Sequence, residues 1–487
     1  MNISFVRGIL GRLLIFYSLV MLFPLGLSIY LQDGSAVGLL MAFLLTLISG
    51  LSLTTRGNID QMNLKIREGY AIIVGIWLLA SLYGTLPFLF TGEIPSGIDA
   101  WFESVSGITT TGATILPHIE SMSASVLLWR SITHWLGGMG IVLLYIAILP
   151  SIGVNSYHLF RSDILGPATD KIVPRLKDTA KALLSLYMIF TITQCSLLML
   201  AGMPLLESIH LSFSTIATGG FSIKDASIAY YNNAFIEIIT IIFMVISGGS
   251  FALYFQAFRT GGLSRIYKDT ELRTYLAIIV VSSILITIDL IIRNSASTPT
   301  ALLDSVFQVS SIITSTGFVS ADYEKWSNFS KMLLFMLMLI GGCTYSTAGG
   351  IKILRYIVLF KASWAELKKM VHPKVVTSIT INGKIIEPTM ITIIMQFFFL
   401  YILTLFVSAL IICGISNAEI FESLSMAATS LGNIGPGFGI VGPTSTFAEL
   451  NVGTKFLCTL LMILGRLELI TVIVFLRPEF WRSKSSW

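Results

Sequence analysis

Charge is scarce in this sequence, and the scarcity decides its class. Only 12% of the 487 residues are Asp, Glu, Lys or Arg, and 54% are apolar. A soluble domain carries about a quarter charged residues, so a chain whose main solvent is water is excluded. Cysteine is equally sparse. Cys195, Cys343, Cys413 and Cys458 stand singly inside apolar runs without C-x-x-C spacing, so neither a disulfide nor zinc or redox chemistry is expected. The five histidines, His118, His134, His158, His210 and His372, include no pair at i, i+4, which argues against a metal held from one helix face. The scattered His, Cys and Asp supply no nucleophile, base or metal constellation for a membrane enzyme, and no cofactor is expected in this chain. The net charge is +5, but no basic stripe interleaved with aromatics lies outside the membrane-flanking loops, so no nucleic-acid partner is expected.

What abounds is the long apolar run. Such runs lie at 13–31, 36–53, 70–91, 127–150, 180–203, 232–258, 272–293, 331–360, 388–413 and 453–476. They predict an all-α polytopic membrane protein with about ten spanning helices. The first run follows Arg7 and Arg12, is long for the apolar part of a signal peptide and ends at no small-x-small site, so it reads as a retained helix. The basic residues alternate to one side: Arg7 and Arg12, Arg56 to Arg67, Arg161 to Lys181, Arg259 to Arg273, Lys352 to Lys384, and Arg477 to Lys484. Roughly 24 of the 31 Lys and Arg fall in these groups, and short cationic loops stay cytoplasmic during insertion. Both termini are therefore expected in the cytoplasm.

Between alternate pairs of spans lies a short segment rich in Ser, Thr and Gly: FESVSGITTTGAT (102–114), HLSFSTIATGGFS (210–222), FQVSSIITSTGFV (307–319) and FESLSMAATSLGNIGPG (421–437). Aligned on a central glycine, they place Gly112, Gly219, Gly317 and Gly432 at intervals of 107, 98 and 115 residues. The repeating unit is helix, pore loop, helix, four times around a pseudo-fourfold axis. The expected units are 61–160, 161–270, 271–375 and 376–487, after two extra helices in 1–60. Non-helical backbone at membrane depth must line water or be buried in protein. A short helix entering each unit near Asp99, Glu207, Asp304 or Glu419 would point its carbonyl end inward, and the following strand could turn carbonyls onto a dehydrated monovalent cation. Close packing of small residues between helices is the alternative reading of each cluster taken alone.

At these segments the sequence resembles the superfamily of potassium transporters that includes TrkH and KtrB, and within it most nearly the TrkH family. The likeness runs over nearly the whole chain, through REG at 67–69, WLGGMGI at 135–141, ILP at 148–150, ATGGFS at 217–222, DASI at 225–228, GGCTYSTAGG at 341–350, VHP at 371–373, LGNIGPG at 431–437 and GRLE at 465–468. The resemblance implies potassium uptake across a bacterial inner membrane, a homodimer with one pore per subunit, and a cytosolic regulatory ring of the TrkA type that binds the nucleotide. It assigns the potassium-binding filter to Thr110, Thr111, Gly112, Ala217, Thr218, Gly219, Ser315, Thr316, Gly317, Leu431, Gly432 and Asn433. A glycine in every repeat implies preference for potassium over sodium, although Ser430-Leu431-Gly432-Asn433 in place of Thr110-Thr111-Gly112-Ala113 predicts an uneven fourth wall.

Two gates are expected below the filter. The run 331–360 is interrupted by Gly341, Gly342, Gly349 and Gly350, where a continuous helix would avoid such a cluster. A loop at membrane depth that obstructs the pore is one reading, and a kink for tight packing is the other. Arg466 stands near the centre of the last run, where a charge faces a cavity or a partner. It reads as an electrostatic barrier, or else as an ion pair with Glu468. A potassium symporter coupled to protons or sodium is the alternative to a gated pore, and four parallel units favour the pore.

Overall fold

A computed structural model of the chain describes residues 1–57, 66–148, 176–260, 262, 264–293, 297–375 and 377–481. Arg161, Lys171 and Arg175 of the second basic group, the Leu149-Pro150 end of the ILP motif, the expected unit boundary at 160/161, and Arg482 and Lys484 lie outside these residues.

The N-terminal pair is α1 (Ile3–Val20), continued by α2 (Leu22–Leu31), and α3 (Ala36–Thr55). The first helix begins at Ile3 and not at 13, because Asn2 caps it by accepting a hydrogen bond from the Phe5 N–H at 3.1 Å, so Arg7 and Arg12 lie within it. Gly11 of α1 sits so close to Gly50 and Thr54 of α3 that a Cβ would not fit, the small-residue contact by which membrane helices approach.

Four units follow. The first has the outer helix α4 (Ile66–Gly84) with its continuation α5 (Leu86–Thr91), the short helix α6 (Gly97–Ile108) and the inner helix α7 (Ala124–Ile148). The second has α8 (Leu176–Leu200), the short α9 (Leu205–Ile216) and an inner helix split into α10 (Ala234–Gly248) and α11 (Phe251–Thr260). After α12 (Ser264–Lys268) the third has α13 (Thr270–Ile292), the short α14 (Thr298–Ile313) and the inner pieces α15 (Asn328–Met338) and α16 (Ile353–Val371). A two-stranded antiparallel ribbon, β1 (Thr380–Ile381) with β2 (Lys384–Ile385), leads to the fourth. That unit has α17 (Pro388–Ile415), the short α18 (Ile420–Gly432) and the inner pieces α19 (Val452–Leu467) and α20 (Leu469–Leu476), and α21 (Pro478–Trp481) closes the described chain.

Among the described residues six helices are long and apolar enough to cross a membrane unaided, and eight spans result if α10/α11 and α19/α20 each count as one. The 25-residue α7 and the interrupted α15/α16 occupy the other two places in the repeat. This is an all-α polytopic membrane protein. Exposed Leu, Ile, Val and Phe cover the outer helices, which a lipid solvent requires and water would penalise.

Three of the expected helix starts hold and one does not. Ser96 caps α6 with Asp99 in its first turn, Glu207 lies in the first turn of α9, and Glu419 caps α18 in a reciprocal capping box with Glu422. Asp304, by contrast, lies in the second turn of α14, which begins at Thr298 behind Ser297 with Pro299 in its first turn. The Ser-x-Pro sequence opens that helix, since proline is preorganised there.

Candidate functional site

The four short helices stop at one place and in one way. After each, the chain turns through a left-handed residue: Thr110 (φ 55°), Thr218 (φ 53°), Ser315 (φ 53°) and Asn433 (φ 54°). One residue on, the N–H of Thr111, Gly219, Thr316 or Ile434 donates back to the carbonyl of Ser106, Ser214, Ser311 or Thr429 at 2.8–3.0 Å. The next residue is a glycine with positive φ: Gly112, Gly220, Gly317 and Gly435.

These glycines knit the units into a ring. A Cβ on Gly112 would fall within 3.0 Å of the Gly219 carbonyl oxygen, one on Gly220 within 3.0 Å of the Thr316 oxygen, and one on Gly317 within 3.0 Å of the Ile434 oxygen. On Gly435 it would lie 2.7 Å from the Thr111 oxygen. Each unit's glycine thus meets the carbonyl of the next, and the fourth meets the first. Four carbonyls and four helix C-termini, each carrying partial negative charge, surround one axis in an almost wholly buried setting.

The register differs from the sequence alignment in two units. Gly219 is not the second unit's ring glycine but the residue before it, and Gly220 takes that place. In the fourth unit Leu431 and Gly432 belong to the last turn of α18, three residues before Gly435. Ala217 is likewise the residue that ends α9. The cause is the pairing of N–H to carbonyl five residues back, which fixes each loop regardless of its letters. With this register the backbone of the fourth wall matches the others, and the unevenness lies in side chains. Thr109 and Thr111 share a hydrogen bond at 2.8 Å, as do Thr314 and Thr316 at 2.7 Å. The corresponding Ala217/Gly219 and Gly432/Ile434 have no hydroxyls to share. Asn433 instead reaches Thr111 Oγ1 and the Met462 carbonyl, both at 2.9 Å.

Behind the ring lies a buried charge pair that the sequence reading missed. Glu103 of α6 and Arg130 of α7 are 0% and 1% exposed, with Nε and Oε1 2.8 Å apart. Glu103 also accepts from the Ile115 N–H at 3.1 Å and the Thr114 hydroxyl at 3.0 Å, while Arg130 donates to the Ser222 carbonyl at 2.9 Å. The pair therefore anchors the strands that leave the ring in the first and second units. A charge in each of two neighbouring semi-apolar stretches was the available signal. Arg130→Ala should lower folding stability by about 3–5 kcal/mol by leaving Glu103 buried without its cation. Thermal unfolding in detergent checks this, and the Glu103→Gln/Arg130→Met double variant should recover part of the loss. At the far end of α6, Asp99 pairs with Lys455 of α19 at 2.7 Å, a second tie between the first and fourth units.

Against the ring the interrupted helix runs as non-helical chain. Residues Ile340 and Ile351 form an isolated parallel bridge, and the segment between them touches the ring. The Gly349 N–H donates to Ser315 Oγ at 2.6 Å, and the Thr347 hydroxyl lies 3.2 Å from that of Thr218. Gly349 also lies against the Gly432 carbonyl and Gly341 against Gly349, too close in both cases for a Cβ. Glu271 at the start of α13 holds both shoulders of the segment, accepting from the Thr344 N–H at 2.7 Å and the Leu354 N–H at 3.2 Å.

Arg466 occupies the last turn of α19. Its Nη1 donates to the Thr347 carbonyl at 2.7 Å and its Nη2 to the Gly137 carbonyl of α7 at 2.9 Å. The Glu468 carboxylate goes to Arg355 at 2.6 Å. Glu468 itself has φ 59°, and there the chain bends by 106° between α19 and α20. A second bend, of 89°, separates α10 from α11 at Gly248-Gly249-Ser250. Both breaks escaped the sequence reading, which registered only the longer glycine cluster of the third unit.

The TrkH family model, described as a cation transport protein, matches residues 38–483. The Trk system potassium uptake protein TrkH of Salmonella typhimurium is 36% identical, over 99% of this chain and 100% of its own length. The Trk system potassium uptake protein TrkG of Escherichia coli is 34% identical over 99% of this chain. The crystal structure of the potassium transporter TrkH from Vibrio parahaemolyticus superposes with a TM-score of 0.90 at 34% identity, covering 99% of this chain and 100% of that one.

Proposed function

The chain belongs to the TrkH family of cation transport proteins, and on that premise we propose that it carries potassium into a bacterial cell through the fourfold ring. The observation that carries the reading is the closed circuit of carbonyls from Thr111, Gly219, Thr316 and Ile434, each seated against the next unit's glycine. Carbonyls in that arrangement can replace the hydration shell of a monovalent cation. Potassium ions in the ring are the cargo.

The segment 341–350 is the gate in this reading, and Arg466 fastens it. Both termini lie in the cytoplasm of an inner-membrane protein, as the positive groups at Arg7/Arg12 and Arg477 favour. Two copies associate, each with its own pore. A nucleotide-binding cytosolic ring of the TrkA type governs opening by docking on the basic cytoplasmic loops, where charge complementarity would guide it. The test is uptake into proteoliposomes under a potassium gradient with and without an opposing proton gradient. Downhill potassium flux that outpaces sodium is the expected result. Potassium moving uphill on a proton gradient alone would establish a coupled symporter instead.

Shortening 341–350 by removing Thr344 to Thr347 should raise basal potassium flux several-fold, since the Thr347 and Gly349 contacts that seat the loop against the ring would be lost. Uptake without the regulatory partner measures it. Aggregation in detergent with no gain in flux would assign the segment to packing.

A further inference from the structure

We infer that His134 is a positioning residue for the ring, an imidazole from the first unit that takes the space of the side chain missing at Gly219 in the second. The inference rests on the reading of the ring as the cation path and adds what fixes its second wall.

Gly219 has no positive φ, and its counterparts are Thr111, Thr316 and Ile434, so its backbone does not demand glycine. Its surroundings do. A Cβ on Gly219 would fall within 3.0 Å of three imidazole atoms of His134 and nothing nearer. His134 is 0% exposed, and its Nδ1 lies 2.9 Å from Ser214 Oγ and 3.4 Å from the Phe221 N–H that donates to it. Ser214 also supplies the carbonyl that receives the Gly219 N–H, and Phe221 follows the ring glycine Gly220. One ring nitrogen therefore touches the strand on both sides of the ring position. The imidazole also stacks on Phe221 with centroids 3.9 Å apart, and Arg130 one turn away lies 3.8 Å from the same ring.

The first and third units steady this strand from within, through the Thr109–Thr111 and Thr314–Thr316 hydroxyl pairs. The second has Ala217 and Gly219 at those places and lacks the internal brace. His134 supplies it from outside, with the bulk of a side chain and an acceptor in one group. The Gly219 carbonyl it steadies is the one that meets Gly112.

A double-mutant cycle between the two positions tests this, read on the potassium-to-sodium uptake ratio and on thermal unfolding. His134→Ala should lower the ratio about tenfold by freeing the strand, and Gly219→Ala should do the same by displacing the imidazole. The double variant, with the new methyl entering the vacated space, should fall closer to the wild type than either single variant, a non-additivity that independent sites do not show. His134→Asn, whose side-chain oxygen can stand where Nδ1 stands, should keep more of the ratio than His134→Ala. Losses that simply add, or a His134→Ala protein with reduced stability and an unchanged ratio, would overturn the inference. If the wild-type protein did not prefer potassium, the functional reading would fail, and coupling between the two positions in thermal unfolding would still decide the role of His134.

Discussion

Gly435→Ala should lose about tenfold or more of its discrimination between potassium and sodium, a change of about 1.4 kcal/mol, whereas Gly432→Ala should keep most of it. Gly435 has φ 103° and its added Cβ would press on the Thr111 carbonyl at 2.7 Å and the Gly112 carbonyl carbon at 3.1 Å. Backbone strain of about 1–3 kcal/mol for a side chain in that region adds to the displacement of a ring oxygen. Gly432 is helical, and a Cβ there would find a movable Ile434 methyl at 3.0 Å and the Met338 carbonyl at 3.2 Å. The measurement is sodium competition against potassium uptake in proteoliposomes. Loss of discrimination at Gly432 with none at Gly435 would show that the ring does not run through Gly435.

The contrast between those two glycines shows how far the sequence reached. The number of units, the two preceding helices, the short helices between spans and the interruption of the third inner helix were all legible, because apolar length and clusters of Ser, Thr and Gly are set by the membrane itself. The register within a unit was not. Gly219-Gly220 offers two glycines and LGNIGPG offers three, and what chooses among them is a backbone hydrogen bond and a left-handed residue, neither of which has an obligatory letter. Thr110, Thr218, Ser315 and Asn433 share one conformation with three residue types. Long-range partners were equally hidden. Nothing in the spacing of Arg130 and Glu103, or of Arg355 and Glu468, announces that they pair. His134 was visible only as one of five scattered histidines, and its meaning lies in a glycine on another unit.

Arg466→Ala should give the larger rise in potassium current, and comparison with Arg466→Lys should divide its cause. In the proposed gated pore the side chain would do two things at once. There its charge would stand beside the path, where even at an effective dielectric near 20 a unit charge about 4 Å from a cation opposes it by about 4 kcal/mol. Its fork also ties the Thr347 carbonyl of the 341–350 segment to the Gly137 carbonyl of α7, at 2.7 and 2.9 Å, so in the proposed pore it would both repel the ion and fasten the loop. Alanine removes both effects and should raise the unitary current together with the open probability. Lysine keeps the charge, but its compact ammonium lacks the rigid planar fork of guanidinium. It should leave the unitary current near the wild-type value while the loop opens more often. Glu468 does not enter this balance, since its carboxylate pairs with Arg355 on α16. Arg355→Ala should disturb the bend between α19 and α20 without lowering the barrier to the ion. Single-channel recording separates the two quantities. An Arg466→Lys protein with a raised unitary current, or an Arg466→Ala protein with an unchanged one, would remove the charge from the account and leave Arg466 as a fastener alone.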